Sequence, residues 1–507
     1  MADHAVGGHR PGRDPGRRRP VTTFDSRDPV TGDVVATFRV YDDAAVGAAV
    51  VDARRAAQWW GELGFAERRR RLTAWKSSIA RRMGELADLM HHEGGKPVAD
   101  GTLEVVLAVE HIAWAAAHAA DVLGRRRVRT GLLMPNQACT VEYQPYGVVG
   151  VIGPWNYPVY TPMGSLAYAL AAGNAVVFKP SPHTPAVGRW LVDRFAEAVP
   201  EQPVLSLVTG AADTGAALCR AGVDKLAFTG STGTAKKVMA ACAETLTPVL
   251  IECGGKDALV VDADADVAAA ADAALWGAMS NAGQTCIGIE RVYAVDAVYD
   301  EFVRVLTDRA SQVRPGPEPT ADYGPMTTPE QLDVVRRHLD DALARGGRAV
   351  VGGFASVRAP YVDPVVLVDV PEECAAVTEE TFGPTLTVTR VRDADEAVRL
   401  VNASRYGLGA AVFGQARAVD IAHRIRSGMA SVNSVIAFAA VPALPFGGVG
   451  DSGFGRMHGA DGLREFARPK SVTRQRFAAP IRLTTFRRHP MAVRAIAGLV
   501  RLVHGRR

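Results

Sequence analysis

The period of the hydrophobic positions changes along this chain, and the change divides it. From Asp43 to about Trp60, and again from Phe65 to about His92, apolar residues recur every three or four positions; in the second run they are Leu72, Trp75, Ile79, Met83, Leu86 and Met90. That spacing places them on one stripe of a helix, so both runs are predicted to be amphipathic helices with a core-facing side. A third helix is expected from about Gly101 to Leu123, closed by the basic turn Gly124-Arg125-Arg126-Arg127. Ahead of them, the turn Asp28-Pro29-Val30-Thr31-Gly32 leads into a short strand over Val34 to Val40. Leu132 to Gln144 reads as an interrupted strand.

After Gln144 the pattern switches to short apolar runs separated by helical stretches. Val148 to Ile152, Ala175 to Phe178, Val204 to Val208 and Lys225 to Phe228 are the runs, and Thr161 to Ala172 is one of the helices. Strands alternating with helices mark βαβ units and a parallel sheet, so the fold class is α/β. Further on, a helix over about Ala268 to Ser280, a strand over Val292 to Val295 and a helix from Pro329 to about Arg345 continue the alternation.

The two ends lack this order. Residues 1–23 are rich in Gly, Pro, Arg and His without apolar periodicity, so they are expected to be a disordered tail. Residues 481–507 form a basic amphipathic extension in which Pro490 opens a helical apolar run broken by Arg494, Arg501 and His504. The run is shorter than the roughly 20 apolar residues of a membrane-crossing helix. Docking on its own protein, or partial disorder, is favoured over peripheral membrane contact as an interfacial helix.

Composition adds bounds. With 507 residues, 48% hydrophobic and 22% charged, the chain can bury a large core and form two domains plus extensions. The net charge of +4 is small and sits partly in the Arg-rich ends, so nucleic acid is not an expected partner. The six cysteines have no metal-ligand spacing, so no metal is expected, and no secretory segment opens the chain. A cytoplasmic location follows as the expectation.

One cysteine carries candidate chemistry. Cys286 lies in Asn281-Ala-Gly-Gln-Thr-Cys286-Ile-Gly-Ile-Glu-Arg291, just past an Ala-rich helical run. A thiol with a pKa of about 8.5 needs a base, a cation or a helix N-terminus to act as a nucleophile at neutral pH. Ile251-Glu252-Cys253-Gly254-Gly255-Lys256 offers a carboxylate beside glycines that permit close approach. Gly153-Pro154-Trp155-Asn156-Tyr157-Pro158 offers a side-chain amide in a stiffened turn. Together they supply a nucleophile (Cys286), a base (Glu252) and an oxyanion donor (Asn156). Thr229-Gly230-Ser231-Thr232-Gly233-Thr234-Ala235, after a strand and before a helix, suits a diphosphate. Lys179 ends a strand, where open α/β sheets bind ligands.

With these motifs in this order, and with the family's separation between Glu252 and Cys286, the chain resembles the aldehyde dehydrogenase superfamily from about Phe24 to about Phe477. The resemblance implies a Rossmann-like cofactor domain over 24–253, into which an oligomerisation hairpin at 125–145 is inserted. It further implies a catalytic domain over 254–445 and a return to the cofactor domain with an oligomerisation strand over 446–480. It implies NAD or NADP as cofactor, held by Ile152, Gly153, Pro154, Trp155, Lys179, Ser181, Gly210, Phe228, Thr229, Gly230, Ser231 and Thr234. Glu380 is expected on the nicotinamide ribose and Phe382 against the ring, both from Glu379-Glu380-Thr381-Phe382-Gly383-Pro384. Lys256 is expected to assist in placing cofactor and charge. Pro182 stands where NAD users of the family often carry a glutamate, which implies tolerance of NADP. The implied reaction is oxidation of an aldehyde to an acid, in a homo-oligomer (dimer or tetramer). The uncharged segment Val435 to Pro442, which in the family borders the aldehyde tunnel, favours an apolar aliphatic or aromatic aldehyde over a semialdehyde such as succinic semialdehyde. A non-catalytic nucleotide-binding role is the remaining alternative, and the intact Asn156, Glu252 and Cys286 set argues against it.

Overall fold

The computed structural model describes residues 22–131, 134–318, 320–479 and 485–505. Two open sheets organise them. The first has six strands in the spatial order Gly453–Phe454, Val249–Glu252, Lys225–Thr229, Val148–Ile152, Ala175–Lys179, Leu205–Leu207. All its pairs are parallel except the first. Every residue of Val148–Ile152 and of Ala175–Lys179 is buried, which is why these strands read as unbroken apolar runs rather than alternating ones.

The winding of this sheet reverses at Val148–Ile152, which pairs with Ala175–Lys179 on one side and with Lys225–Thr229 on the other. The crossovers leaving those neighbours run to opposite halves of the sheet. A crevice therefore opens beyond the carboxyl ends of Ile152 and Thr229, the place where sheets of this kind bind ligands.

The second sheet has seven strands, ordered Arg348–Val351, Val365–Val368, Thr385–Val391, Ile289–Val295, Asp257–Val261, Ala410–Phe413, Ser431–Val432. Only Arg348–Val351 runs antiparallel. A smaller antiparallel sheet joins Ala467–Gln475, Gln137–Pro145 and Arg126–Val128. The architecture is the expected α/β class with an antiparallel hairpin.

The helix Val98–Leu123 is long and apolar enough to cross a membrane by length and composition. Here it is a core element: Val105, Ala108, Ile112 and Ala115 are buried, and it packs on Gly64–Arg81, Met83–Gly94 and Tyr160–Ala172. All six cysteines are free.

Several expectations about elements need correction. The single helix expected over Phe65 to His92 is two, Gly64–Arg81 and Met83–Gly94, broken at Arg82 with φ −114° and ψ 27°. One residue of interruption leaves the apolar stripe nearly in phase, so periodicity alone cannot see the break. The tail was expected to run to Thr23, but Thr23–Arg27 is a strand paired with Val34–Arg39. Its outward positions are polar, and only Phe24, packed on Phe38 with ring centroids 6.0 Å apart, gives an apolar signal. Residues 1–21 lie outside the described residues. The strand expected over Leu132 to Gln144 is confined to Gln137–Pro145, and residues 132–133 likewise lie outside the described residues.

Candidate active site

A cavity of about 720 Å³ opens at the carboxyl end of the six-stranded sheet and runs towards the seven-stranded one. Sixteen of the seventeen residues singled out from the sequence line it: Ile152, Gly153, Pro154, Trp155, Asn156, Lys179, Ser181, Phe228, Thr229, Gly230, Ser231, Thr234, Glu252, Cys286, Glu380 and Phe382. Gly210 does not. At φ +147° it turns the chain so that Ala211, Ala212 and Asp213 form the wall instead. Pro182 and His183 also line the cavity beside Ser181.

One end of the cavity fits a dinucleotide. The Lys179 ammonium is buried, donates to the Pro180 carbonyl at 3.0 Å, and has no carboxylate partner among the described residues. Burial alone holds its pKa down to about 8. A buried cation without a counter-charge calls for an anionic or polyhydroxyl ligand. Across the crevice, Ser231 caps the helix Thr232–Ala243, accepting from Thr234 N, so that the loop presents a helix N-terminus to the cavity. A Cβ at Gly230 would come within 2.7 Å of the Phe228 ring, and one at Gly153 within 2.9 Å of Pro162. The loops are close-packed where ligand and backbone would meet.

At the other end, Trp155 stands edge-on to Phe382, with ring centroids 5.6 Å apart and an interplanar angle of 88°. Glu380 accepts from Gly255 N at 3.2 Å. Burial, and then the nearby Glu290 charge, raise its pKa to about 8.

Between the two ends lie Glu252, Cys286 and Asn156. Glu252 closes the strand Val249–Glu252 and is 1% exposed, and neither of its oxygens has a hydrogen-bond partner among the described residues. Burial raises its pKa to about 7, offset in part by the nearby Thr229 and Cys286 side chains. Cys286 lies deep in the same cavity. Burial and then the Glu252, Glu380 and Asp257 carboxylates push its thiol well above the ordinary range, so it rests protonated beside Glu252. Asn156 Nδ2 donates to the Gln284 carbonyl at 2.9 Å. An amide nitrogen carries two N–H donors, which leaves the second for a ligand.

The loop that carries Cys286 is held by residues to which the sequence assigned no role. Asn281 and Ala282 adopt left-handed backbone, φ 53° and 57°, followed by Gly283 at 70°. Such conformations cost non-glycine residues of order 1–3 kcal/mol and persist only when their surroundings impose them. The imposition is visible. Asn281 Nδ2 donates to both the Asn156 and Gln284 carbonyls at 3.1 Å, and Gln284 Nε2 returns a bond to the Asn281 carbonyl at 2.9 Å. A Cβ on Gly283 would lie 2.2 Å from the Gly383 carbonyl carbon. The Cys286 loop, the Asn156 turn and the Gly383 turn are thus locked together.

Glu290 plays the same part for Phe382, which is also left-handed at φ 53°. Its carboxylate accepts from Thr381 N at 2.8 Å and Phe382 N at 3.0 Å and pairs with Lys256. Lys256 is absent from the cavity wall; it pairs with Glu290 and donates to Thr381 Oγ1 at 3.1 Å. The Val435 to Pro442 segment does not line the cavity either. Phe438 and Ala439 are buried there and Val441 is exposed, while Tyr160 Oη donates to the Ala439 carbonyl at 2.8 Å.

Comparison with known proteins shows the family. The chain matches the Aldehyde dehydrogenase family over residues 17–472. It is 37% identical over 464 residues to a 4,4'-diapolycopene aldehyde oxidase of a Methylomonas species, covering 91% of this chain and 87% of that protein. It is 34% identical to a putative succinate-semialdehyde dehydrogenase [NADP(+)] of Mycobacterium ulcerans, covering 90% and 89%. Among solved structures, PnpE in complex with nicotinamide adenine dinucleotide superposes with a TM-score of 0.86 at 32% identity, covering 91% of this chain and 96% of that one.

Proposed function

The chain belongs to the aldehyde dehydrogenase family and is an NAD(P)-dependent aldehyde dehydrogenase, and we propose that Cys286, Glu252 and Asn156 oxidise an apolar aldehyde to its acid in this cavity. As the Cys286 sulfur attacks the aldehyde carbon, its proton passes to Glu252 and the carbonyl electron pair moves onto oxygen. The Asn156 N–H left free by Gln284, with the Cys286 backbone N–H, stabilises that oxyanion; donors of this kind contribute about 10²–10³ each in rate. When bound, the nicotinamide supplies the hydride acceptor. Glu252, after releasing the thiol proton to solvent, deprotonates the water that attacks the thioester carbon; the C–S bond breaks, the carboxylic acid leaves and the Cys286 sulfur departs as the thiolate, reprotonated by Glu252.

Lys179, Ser181 and the Thr229 to Thr234 loop are assigned to the adenosine and diphosphate, and Glu380 and Phe382 to the nicotinamide ribose and ring. Correspondingly, the six-stranded sheet is assigned to a cofactor domain and the seven-stranded sheet to a catalytic one. With Pro182 and His183 rather than a carboxylate beside Ser181, NADP is expected to serve at least as well as NAD.

The observation that carries this reading is Glu252: a buried carboxylate with no hydrogen bond, held near pKa 7, within electrostatic reach of the thiol. Cys286→Ala is expected to abolish NAD(P)H formation. Glu252→Gln is expected to lose turnover and, because Glu252 also takes the thiol proton, most of the burst as well. Steady turnover in the cysteine variant would sink the assignment.

The kinship to an enzyme named for a polyene aldehyde supports an apolar substrate. A panel of aliphatic, aromatic and semialdehyde substrates with both cofactors tests this. The highest kcat/KM on succinic semialdehyde would overturn it. A cytoplasmic location suits a nucleophilic thiol among six free cysteines.

A further inference from the structure

The last 42 residues contain no carboxylate side chain. Glu465 is the final acidic residue, and the eleven Lys and Arg after it leave the first 465 residues with a net charge of −7 (47 basic against 54 acidic). Charge is thus strongly segregated towards the C-terminal end.

Within that end, the helix Pro490–His504 is well formed. Pro490 occupies its first turn and His489 accepts from Met491 N. None of its residues is buried, although one side of it is built to be covered. Met491, Ala495, Leu499 and Leu502 follow helical spacing, and Ala492, Ile496, Val500 and Val503 continue the same face. Leu502 and Met491 are 62% and 69% exposed. Arg494 and Arg501, seven residues and therefore two turns apart, stand together on the opposite side. The docking on its own body favoured from the sequence is not what the described residues show.

We propose that this helix lies in the surface of an anionic lipid bilayer, its apolar face sunk between headgroups and Arg494 and Arg501 on the lipid phosphates. Its length decides against crossing. Fifteen residues at about 1.5 Å each span about 22 Å, short of the roughly 30 Å hydrocarbon core. Charge decides in favour of lipid over a neutral apolar partner. A wide apolar arc with arginines on the polar side and no acidic residue is the composition that binds interfaces. Arg487 and Arg488, immediately before the helix, extend the same contact. The inference does not depend on which aldehyde is oxidised.

The test uses the full-length protein and two kinds of vesicle, phosphatidylcholine alone and phosphatidylcholine carrying phosphatidylglycerol. Co-sedimentation is expected with the second kind only. It is expected to fall by about fivefold for each of Arg494→Ala and Arg501→Ala, and to be released at about 1 M salt, where screening shortens to about 3 Å. Leu499→Asn with Val503→Asn is expected to lose binding while aldehyde oxidation in solution stays unchanged, which separates this result from a misfolded protein. The proposal is overturned if the full-length protein stays in the supernatant. It is equally overturned if a chain ending at Arg488 sediments as well as the intact one, or if that truncation instead lowers the mass seen by light scattering, since the face would then be covered by a second copy.

Discussion

Glu252 is the residue on which the proposed chemistry turns, because its environment sets its protonation. Its folded pKa of about 7 lies above the ordinary 4.5, so below neutrality it holds a proton and cannot accept one from Cys286 or from water. kcat/KM is therefore expected to rise with pH through about 7 and level off above it. The profile of Glu252→Gln should lack that limb, and a wild-type rate independent of pH from 6 to 8.5 would contradict the role. Gly254 offers a steric test at the same scale. A Cβ there would stand 1.8 Å from Glu380 Oε1, with the Glu380 carboxylate fixed on Gly255 N. Gly254→Ala should displace Glu380 and raise the cofactor KM about tenfold or more, about 1.4 kcal/mol of binding, with the protein still folded by circular dichroism. The sequence made the pairing of Glu252 with glycines legible, but not which carboxylate the glycine makes room for. That partner lies 126 residues downstream and comes near only through the seven-stranded sheet.

Among elements, the parallel strands were the most readable, because strands buried on both faces must be apolar throughout. Helix breaks were the least readable, as Arg82 shows: a stripe that stays in phase hides an interruption in the backbone. The Glu379 to Pro384 segment was legible as a motif, yet nothing local in it explains how Phe382 keeps a left-handed backbone. Glu290, on the strand Ile289–Val295, supplies the reason by accepting from Thr381 N and Phe382 N while paired with Lys256. Removing one member of a buried pair leaves the other uncompensated, at about 3–5 kcal/mol. Glu290→Gln is accordingly expected to lower Tm by several degrees. It should also raise the cofactor KM more than it lowers kcat, and Lys256→Met in the same background should recover stability without recovering KM. An unchanged KM would show that Phe382 is held by something else.

For the whole molecule, the three-stranded sheet ends in the nine-residue strand Ala467–Gln475, paired along its length with Gln137–Pro145 and, among the described residues, without a partner strand on its other edge. All its residues after Ala467 are exposed. An open edge of that length invites another strand, and we assign it to contact between copies in a homo-oligomer. Val472→Asp, at a position 42% exposed, is expected to reduce the mass in sedimentation velocity; an unchanged mass would place the contact elsewhere. The sequence by itself determined the α/β class, most strands of the six-stranded sheet, and which short motifs, those of Asn156, Glu252 and Cys286 among them, line the cavity. These depend on burial patterns and on short motifs whose residues are neighbours in the chain. Only the tertiary structure decided the pKa of Glu252, the clamp of Glu290 on Phe382, the locking of Asn281 onto the Asn156 turn and the bare face of the terminal helix. Each of those depends on which distant backbone or charge, or how little of either, the folded chain brings alongside, and no local pattern carries that information.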